Sequence, residues 1–384
     1  MYTMLMLTEN EVKKLRDALP GYKRDIFPPI LEDLYDNKLV SLLGEANRAI
    51  GNLNNAKKII PNPDLLSGPL LFKEAFASSE IEGTQTTVRD VIQEEVELSF
   101  ESRYDQIQAR EVVNHIEASK TGLRLIKEYP LVSRVLKEMH SQLLEGVRGK
   151  HKTLGDFRVG PNAIEKGNEI VYFPPEAKDV SDLMSRLERY LNNPGDKDIY
   201  DPLIRAAVTH YEFEAIHPFA DGNGRLGRVL ISLQLINEKV LTYPVLYLSG
   251  FLLREKKNYQ ECLLRVTTHS DWKGWITFFL RGIKEQATRS EEIVQSIYDL
   301  RKNTEQTAKS MTQSPNVNEI VDLMFSRRVL TARLVRESLN MSHSGARKLL
   351  VKLTKAGLLS LINSGNSKAN YYVNEPLVKL LENI

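Results

Sequence analysis

Apolar residues recur at three- and four-residue steps through most of this chain, and that spacing limits its possible folds more than any other feature. It predicts helices over 32–56, 69–80, 104–127, 131–147, 177–192, 200–216, 225–238, 255–267 and 272–304. Strand signals are few. The clearest lies at Phe157–Phe173, where FRVGPNAI and IVYF flank a Gly167-Asn168 turn. These residues predict a hairpin that stops at Pro174-Pro175. An all-α fold with one short hairpin follows. The 384 residues suffice for two or three domains, and 42% hydrophobic with 27% charged residues excludes a fibrous or largely disordered chain. No stretch approaches the ~18 apolar residues of a spanning helix. The N-terminal apolar run lacks a preceding basic region, and the single cysteine, Cys262, cannot form an internal disulfide, so a cytoplasmic location is expected.

Residues 217–228 read HPFADGNGRLGR. Glycines 222, 224 and 227 formally satisfy the G-x-G-x-x-G dinucleotide pattern, but that pattern must follow a strand, and 200–216 has helical spacing. A dinucleotide fold is therefore rejected. Gly222-Asn223-Gly224 can instead turn successive N–H groups into one concavity, next to the positive end of a helix expected to begin at Arg225. Arg225 and Arg228, three apart, share one face of that turn. A base at His217 and a divalent cation at Asp221, set against polyphosphate, would use every polar residue present. Two plainer readings compete: a tight helix–helix turn with surface arginines, and a zinc site using His217 and Asp221. Zinc wants three or four N/S/O ligands, and no HExxH pair or cysteine cluster is present.

The stretch matches H-x-F-x-[DE]-G-N-G-R-x-x-R without a gap or mismatch, and in this the chain resembles the Fic family. The resemblance extends to the upstream hairpin with its Tyr-Phe-Pro-Pro end and to a helical core over 105–290. It implies a protein adenylyltransferase that moves AMP from ATP to a Tyr, Thr or Ser hydroxyl of a protein. His217 would be the general base, helped by a near-neutral pKa. Asp221 would hold Mg²⁺, with Gly222, Asn223 and Gly224 as the anion hole and Arg225 and Arg228 on the phosphates. Phe219 would be a packing anchor. Asn258 and Tyr259 would line the adenine pocket, with Val171 and Tyr172 of the hairpin also on the nucleotide, and the hairpin would clamp the target.

Residues Ser78-Ser-Glu-Ile-Glu82-Gly83 read by themselves as a helix end stopped by glycine. They also resemble the family's inhibitory motif [ST]-x-x-x-E-[GN], in which the glutamate takes the second motif arginine, here Arg228. The chain divides by sequence into an N-terminal helical region (1–104), the core (105–290), a helix and linker (291–316) and a basic unit (317–384). That unit has ten Lys and Arg against five Asp and Glu, whereas the whole chain is only +2. Its helix–helix–helix–hairpin order resembles a winged helix-turn-helix, for which DNA and protein partners both remain open. The competing overall functions are a DNA-binding regulator using the core as a nucleotide sensor, and a Fic enzyme that mainly removes AMP. A homodimer is a further expectation.

Overall fold

Helix α8 (Pro202–Ile216) is buried from Leu203 to Ile216, as a nearly all-round apolar helix must be. Its start is fixed locally: Asp201 accepts a hydrogen bond from the Leu203 N–H at 2.8 Å, and Pro202 sits in the first turn, where its missing N–H is harmless. Around it pack α7 (Val180–Asn192), α9 (Asn223–Asn237) and α12 (Trp272–Met311). The Trp275 indole of α12 donates to the Ala207 carbonyl at 2.9 Å, satisfying its only polar atom inside the core. The computed structural model describes residues 9–30, 34–55, 64–98, 107–147, 154–166, 169–192, 200–362 and 370–383.

The remaining helices before the core are α1 (Glu9–Ala18), α2 (Asn37–Asn55), α3 (Asp64–Ile81) and α4 (Val88–Leu98). Within it are α5 (Ile107–Leu125), α6 (Ser133–Leu143), α10 (Ser249–Arg254) and α11 (Lys256–His269). Helix α2 lies along α12, and α3 crosses α5, α9 and α10. The fold is mostly helical, as the periodicity requires. Among the described residues no helix is long and apolar enough to cross a membrane.

The hairpin is shorter than its sequence suggests. Strands β1 (Ile164–Lys166) and β2 (Glu169–Tyr172) pair antiparallel, with Ile164 opposite Tyr172 and an irregularity after Ile164. Residues 157–163 form no strand; Arg158 there is drawn into the core instead. The expected Gly167-Asn168 turn lies outside the described residues. Helix α3 begins at Asp64, five residues before Pro69, because Leu65 and Leu66 are buried and tertiary packing overrides the proline signal. Helix α9 begins at Asn223 rather than Arg225, with Gly222 as its N-cap at φ 75°.

The C-terminal unit contains α13 (Val317–Ser326), β3 (Val329–Leu330), α14 (Ala332–Ser338), α15 (His343–Lys355), β4 (Ser360–Ile362), β5 (Tyr371–Val373) and α16 (Glu375–Asn383). Its three strands form one antiparallel sheet in the order β3-β5-β4. Thr331 and Ser342 cap α14 and α15 through their hydroxyls. The hairpin tip, 363–369, lies outside the described residues. The unit does not hang from its linker. It packs on α3, α4 and α12: Lys73 donates to the Leu381 carbonyl at 3.0 Å, Arg89 pairs with Glu375 at 2.6 Å, and Arg328 pairs with Glu95 over the Phe72 ring.

Candidate active site

His217 is the C-cap of α8, in the left-handed region at φ 50°. A histidine there is unusual, and Arg158 stabilises the bend. The buried Arg158 guanidinium donates to the carbonyls of His217 (2.9 Å), Ile216 (3.3 Å), Pro175 (2.6 Å) and Gly160 (3.2 Å). It thus fastens the end of α8 to the segment entering α7. Desolvation, with the Arg158 charge next, pushes the His217 imidazole down to about 4. The near-neutral value expected from sequence is corrected by burial. The imidazole is neutral at pH 7 and able to accept a proton.

The loop after His217 is held by side chains that point inward. Asn223 accepts from the Phe219 N–H and donates to the Phe219 carbonyl, both at 2.8 Å. Its amide is therefore a clamp, and only its backbone N–H is available to an anion. Phe219 is fully buried and stacks on His140 with ring centroids 4.0 Å apart. The Gly155 N–H donates to His140 Nδ1 at 3.0 Å, so the ring proton is on Nε2, which donates to the Asp221 carbonyl at 3.1 Å. Asp221 Oδ1 accepts from the Gly222 N–H at 2.8 Å. The first N–H groups of α9 and its dipole end thus open beside His217 and a half-buried carboxylate.

Arg225 and Arg228 are buried on the same side of α9. Arg225 lies 3.9 Å from Glu111, and its Nε and Nη1 have no hydrogen-bond partner. Arg228 is engaged through Nε and Nη2. Its Nε donates to Ser78 Oγ at 2.8 Å, and Nη2 donates to the Ser78 carbonyl at 2.9 Å and to Glu82 Oε1 at 2.6 Å. Partial desolvation would raise the Glu82 carboxyl, whose side chain is 41% exposed, but the Arg228 guanidinium overrides it and holds the group below the usual carboxylate range.

Glu82 reaches Arg228 because of how α3 ends. The Thr84 N–H bonds to the Ser79 carbonyl at 3.1 Å and the Gly83 N–H to the Glu80 carbonyl at 3.0 Å, with Gly83 at φ 92°. This is a Schellman end with glycine in its left-handed position, and Glu82 is the residue just before it. Gly224 leaves the space: a Cβ there would lie 2.3 Å from Glu82 Oε1.

A cleft of about 300 Å³ opens between β2, α8, α9 and α11, with Glu82 and Arg228 in its wall. Val171, Tyr172 and Tyr259 line it, as do Gln260, Leu263 and Thr267, which sequence reasoning missed. Asn258 does not line it. It is exposed and donates to Glu255, because neighbours on a helix point about 100° apart and Tyr259 takes the inward direction. The Tyr259 hydroxyl bonds His210 Nε2 at 2.7 Å while His210 Nδ1 meets the Gly227 carbonyl at 3.1 Å, so both nitrogens of that histidine are engaged. Arg158, His140 and Asn162, which donates to the Phe219 carbonyl at 3.3 Å, were also missed. A side chain that works by holding backbone carbonyls leaves no spacing signal.

Residues 40–124 match the Fic/DOC family N-terminal model and residues 130–235 the Fic/DOC family model. The protein adenylyltransferase Fic of Drosophila melanogaster is 27% identical over 222 residues, covering 54% of this chain and 40% of that protein. Its Drosophila yakuba counterpart is 25% identical over 264 residues, 65% of this chain and 47% of that one. The chain thus spans less than half the length of these curated relatives. Among solved structures, a Fic family protein from Desulfovibrio desulfuricans G20 superimposes with a TM-score of 0.56 at 22% identity, covering 88% of this chain and 96% of that one. A Fic domain containing signaling protein from Bacteroides thetaiotaomicron gives 0.51 at 22% identity, over 65% and 97%. At such identities the likeness concerns the fold.

Proposed function

The chain is a protein of the Fic/DOC family, and from that premise we propose that it transfers AMP from ATP to a Ser, Thr or Tyr hydroxyl of a protein, restrained by its own Glu82. The carrying observation is the placement of a neutral imidazole, His217, beside the open N-terminus of α9 and at the wall of the 300 Å³ cleft. The cleft takes adenosine against Tyr259, Val171 and Tyr172. The Gly222–Gly224 turn and Arg225 hold phosphate oxygens, and His217 takes the proton as the hydroxyl attacks the α-phosphorus and pyrophosphate leaves. Asp221 would hold Mg²⁺: a single half-buried carboxylate at a phosphate nest suits a cation that shares its remaining positions with phosphate and water. Such an ion would neutralise charge on the departing pyrophosphate.

Glu82 supplies the restraint, since a guanidinium held by Ser78 and Glu82 is not available to a γ-phosphate. The partners are ATP and a hydroxyl-bearing protein, itself included. Mass spectrometry of the wild type and Glu82→Gly after incubation with ATP and Mg²⁺ tests the reading. AMP adducts on chain or added protein are expected in Glu82→Gly. Phosphate adducts, or none on the chain or on any protein of a lysate, would overturn it.

A further inference from the structure

Three of the five acids of residues 317–384 face the neighbouring helices, whereas the cations of α15 face outward. Asp322 binds Arg301 of α12 with Nε–Oδ1 at 2.7 Å, while Glu375 and Glu382 bind Arg89 of α4 at 2.6 and 3.4 Å. Three of the unit's five acids therefore neutralise arginines of the neighbouring helices. A fourth, Glu337, pairs with Arg333 and Arg336 on α14. Helix α15 contains no acid. Its Ala346, Leu349, Leu350 and Leu353 are buried, and Arg347, Lys348, Lys352 and Lys355 are exposed on the other face. Among the described residues none of these four cations forms an ion pair, whereas Lys273, Lys284 and Arg254 elsewhere each meet a carboxylate.

Helices α14 and α15 are joined by four residues, 339–342, with Asn340 left-handed at φ 46°. A seven-residue helix, a tight turn and a capped basic helix on the outer surface make the geometry that lays its second helix in a duplex groove. The major groove, about 12 Å wide, admits one α-helix between two walls of phosphate. A protein partner would need a central apolar or aromatic anchor. On this face only Val351 is an exposed large apolar side chain, at 40%. Charge without an anchor matches a phosphate backbone. We propose that the exposed face of α15 binds double-stranded DNA in the major groove, with Lys348 and Lys352 on phosphates.

The proposal is independent of nucleotidyl transfer, and its test does not read activity. Fluorescence anisotropy of the full chain with a labelled duplex of about two helical turns is followed from about 50 to about 200 mM salt. Affinity should fall steeply with salt. Lys348→Ala with Lys352→Ala should weaken binding roughly tenfold or more and flatten the log–log slope by about 2. Lys284→Ala, which removes a cation already paired with Glu45, should change neither. Because both substituted positions are exposed, an unchanged melting temperature certifies the fold. No duplex binding at the lowest salt, a slope unmoved by the double substitution, or tighter capture of polyglutamate than of duplex would each overturn the proposal, the last in favour of an acidic protein.

Discussion

Arg228 gives hydrogen bonds to three oxygens of two residues, Ser78 and Glu82, and so stands as one half of an ion pair in the wall of the cleft. The pair is ionised at any working pH. A carboxyl whose folded pKa is depressed keeps its stabilising charge above its unfolded value and loses it only as pH falls through the lower folded one. The restraint should therefore not relax between pH 6 and 8. His217 behaves similarly. With its pKa pushed to about 4, it is already unprotonated across that range, and removing Glu82 lowers it further by removing a nearby negative charge. We expect kcat/KM of Glu82→Gly to show no histidine limb between pH 6 and 8; an inflection near 6.5 that persists in Glu214→Gln, the cleft carboxyl that burial pushes up to about 8, would mean that the base is not the half-buried imidazole. His217→Ala should lower transfer by about 10²–10⁴ and leave nucleotide binding, read by calorimetry, nearly unchanged. The residues from His217 to Arg228 were legible because their chemistry is contiguous in sequence. Arg158 was not, since four backbone carbonyls supplied by three separate segments write no pattern.

At the scale of elements, the end of α3 is the part on which the proposed restraint turns. Gly83 at φ 92° closes the Schellman turn that aims Glu82, and any L side chain is strained there. Gly83→Ala should cost about 1 kcal/mol of stability and raise self-modification, though less than Glu82→Gly does. A melting curve and an autoradiograph check the two halves, and a strained but fully restrained protein would show that Glu82 is aimed by something else. Some missed elements had a readable signal. Thr87 and Asp90 exchange hydrogen bonds at 3.0 and 3.1 Å in a reciprocal cap at the start of α4, and T-x-x-D is visible in the sequence. The helix was overlooked because its apolar residues, Val88, Val91, Ile92 and Val96, are thinly spread among acids. The hairpin was overextended because Phe157 packs against Phe219 and Val159 lies exposed, so the aromatic and β-branched residues at 157–163 do not pair.

Across the whole molecule, the sequence marks a linker ending at residue 316, yet the unit beyond it rests on α3, the helix that leads to Glu82. The Phe325 and Ser326 carbonyls lie against Gly68 of α3, and Lys73 and Arg89 reach into α16. Linker composition reports on the chain between two units and not on the faces they bury, so this docking was not legible. Truncation after residue 316 should uncover those faces. We expect a lower melting temperature and increased binding of an apolar dye, and an unchanged melting curve would show that the unit is energetically separate. Arg328→Ala, which leaves the half-buried Glu95 without its partner, should cost about 3 kcal/mol. The central claim, one chemical site at His217 restrained by Glu82, is tested most directly by self-modification of the full chain with labelled ATP in four proteins: wild type, Glu82→Gly, Glu82→Gln, and Glu82→Gly with His217→Ala. A charge-assisted pair of about 1.5–3 kcal/mol corresponds to roughly ten- to a hundredfold, so Glu82→Gly should rise by that factor, Glu82→Gln partly, and the double variant should fall below wild type. Unchanged transfer in Glu82→Gly, or a rise that survives the loss of His217, would contradict it.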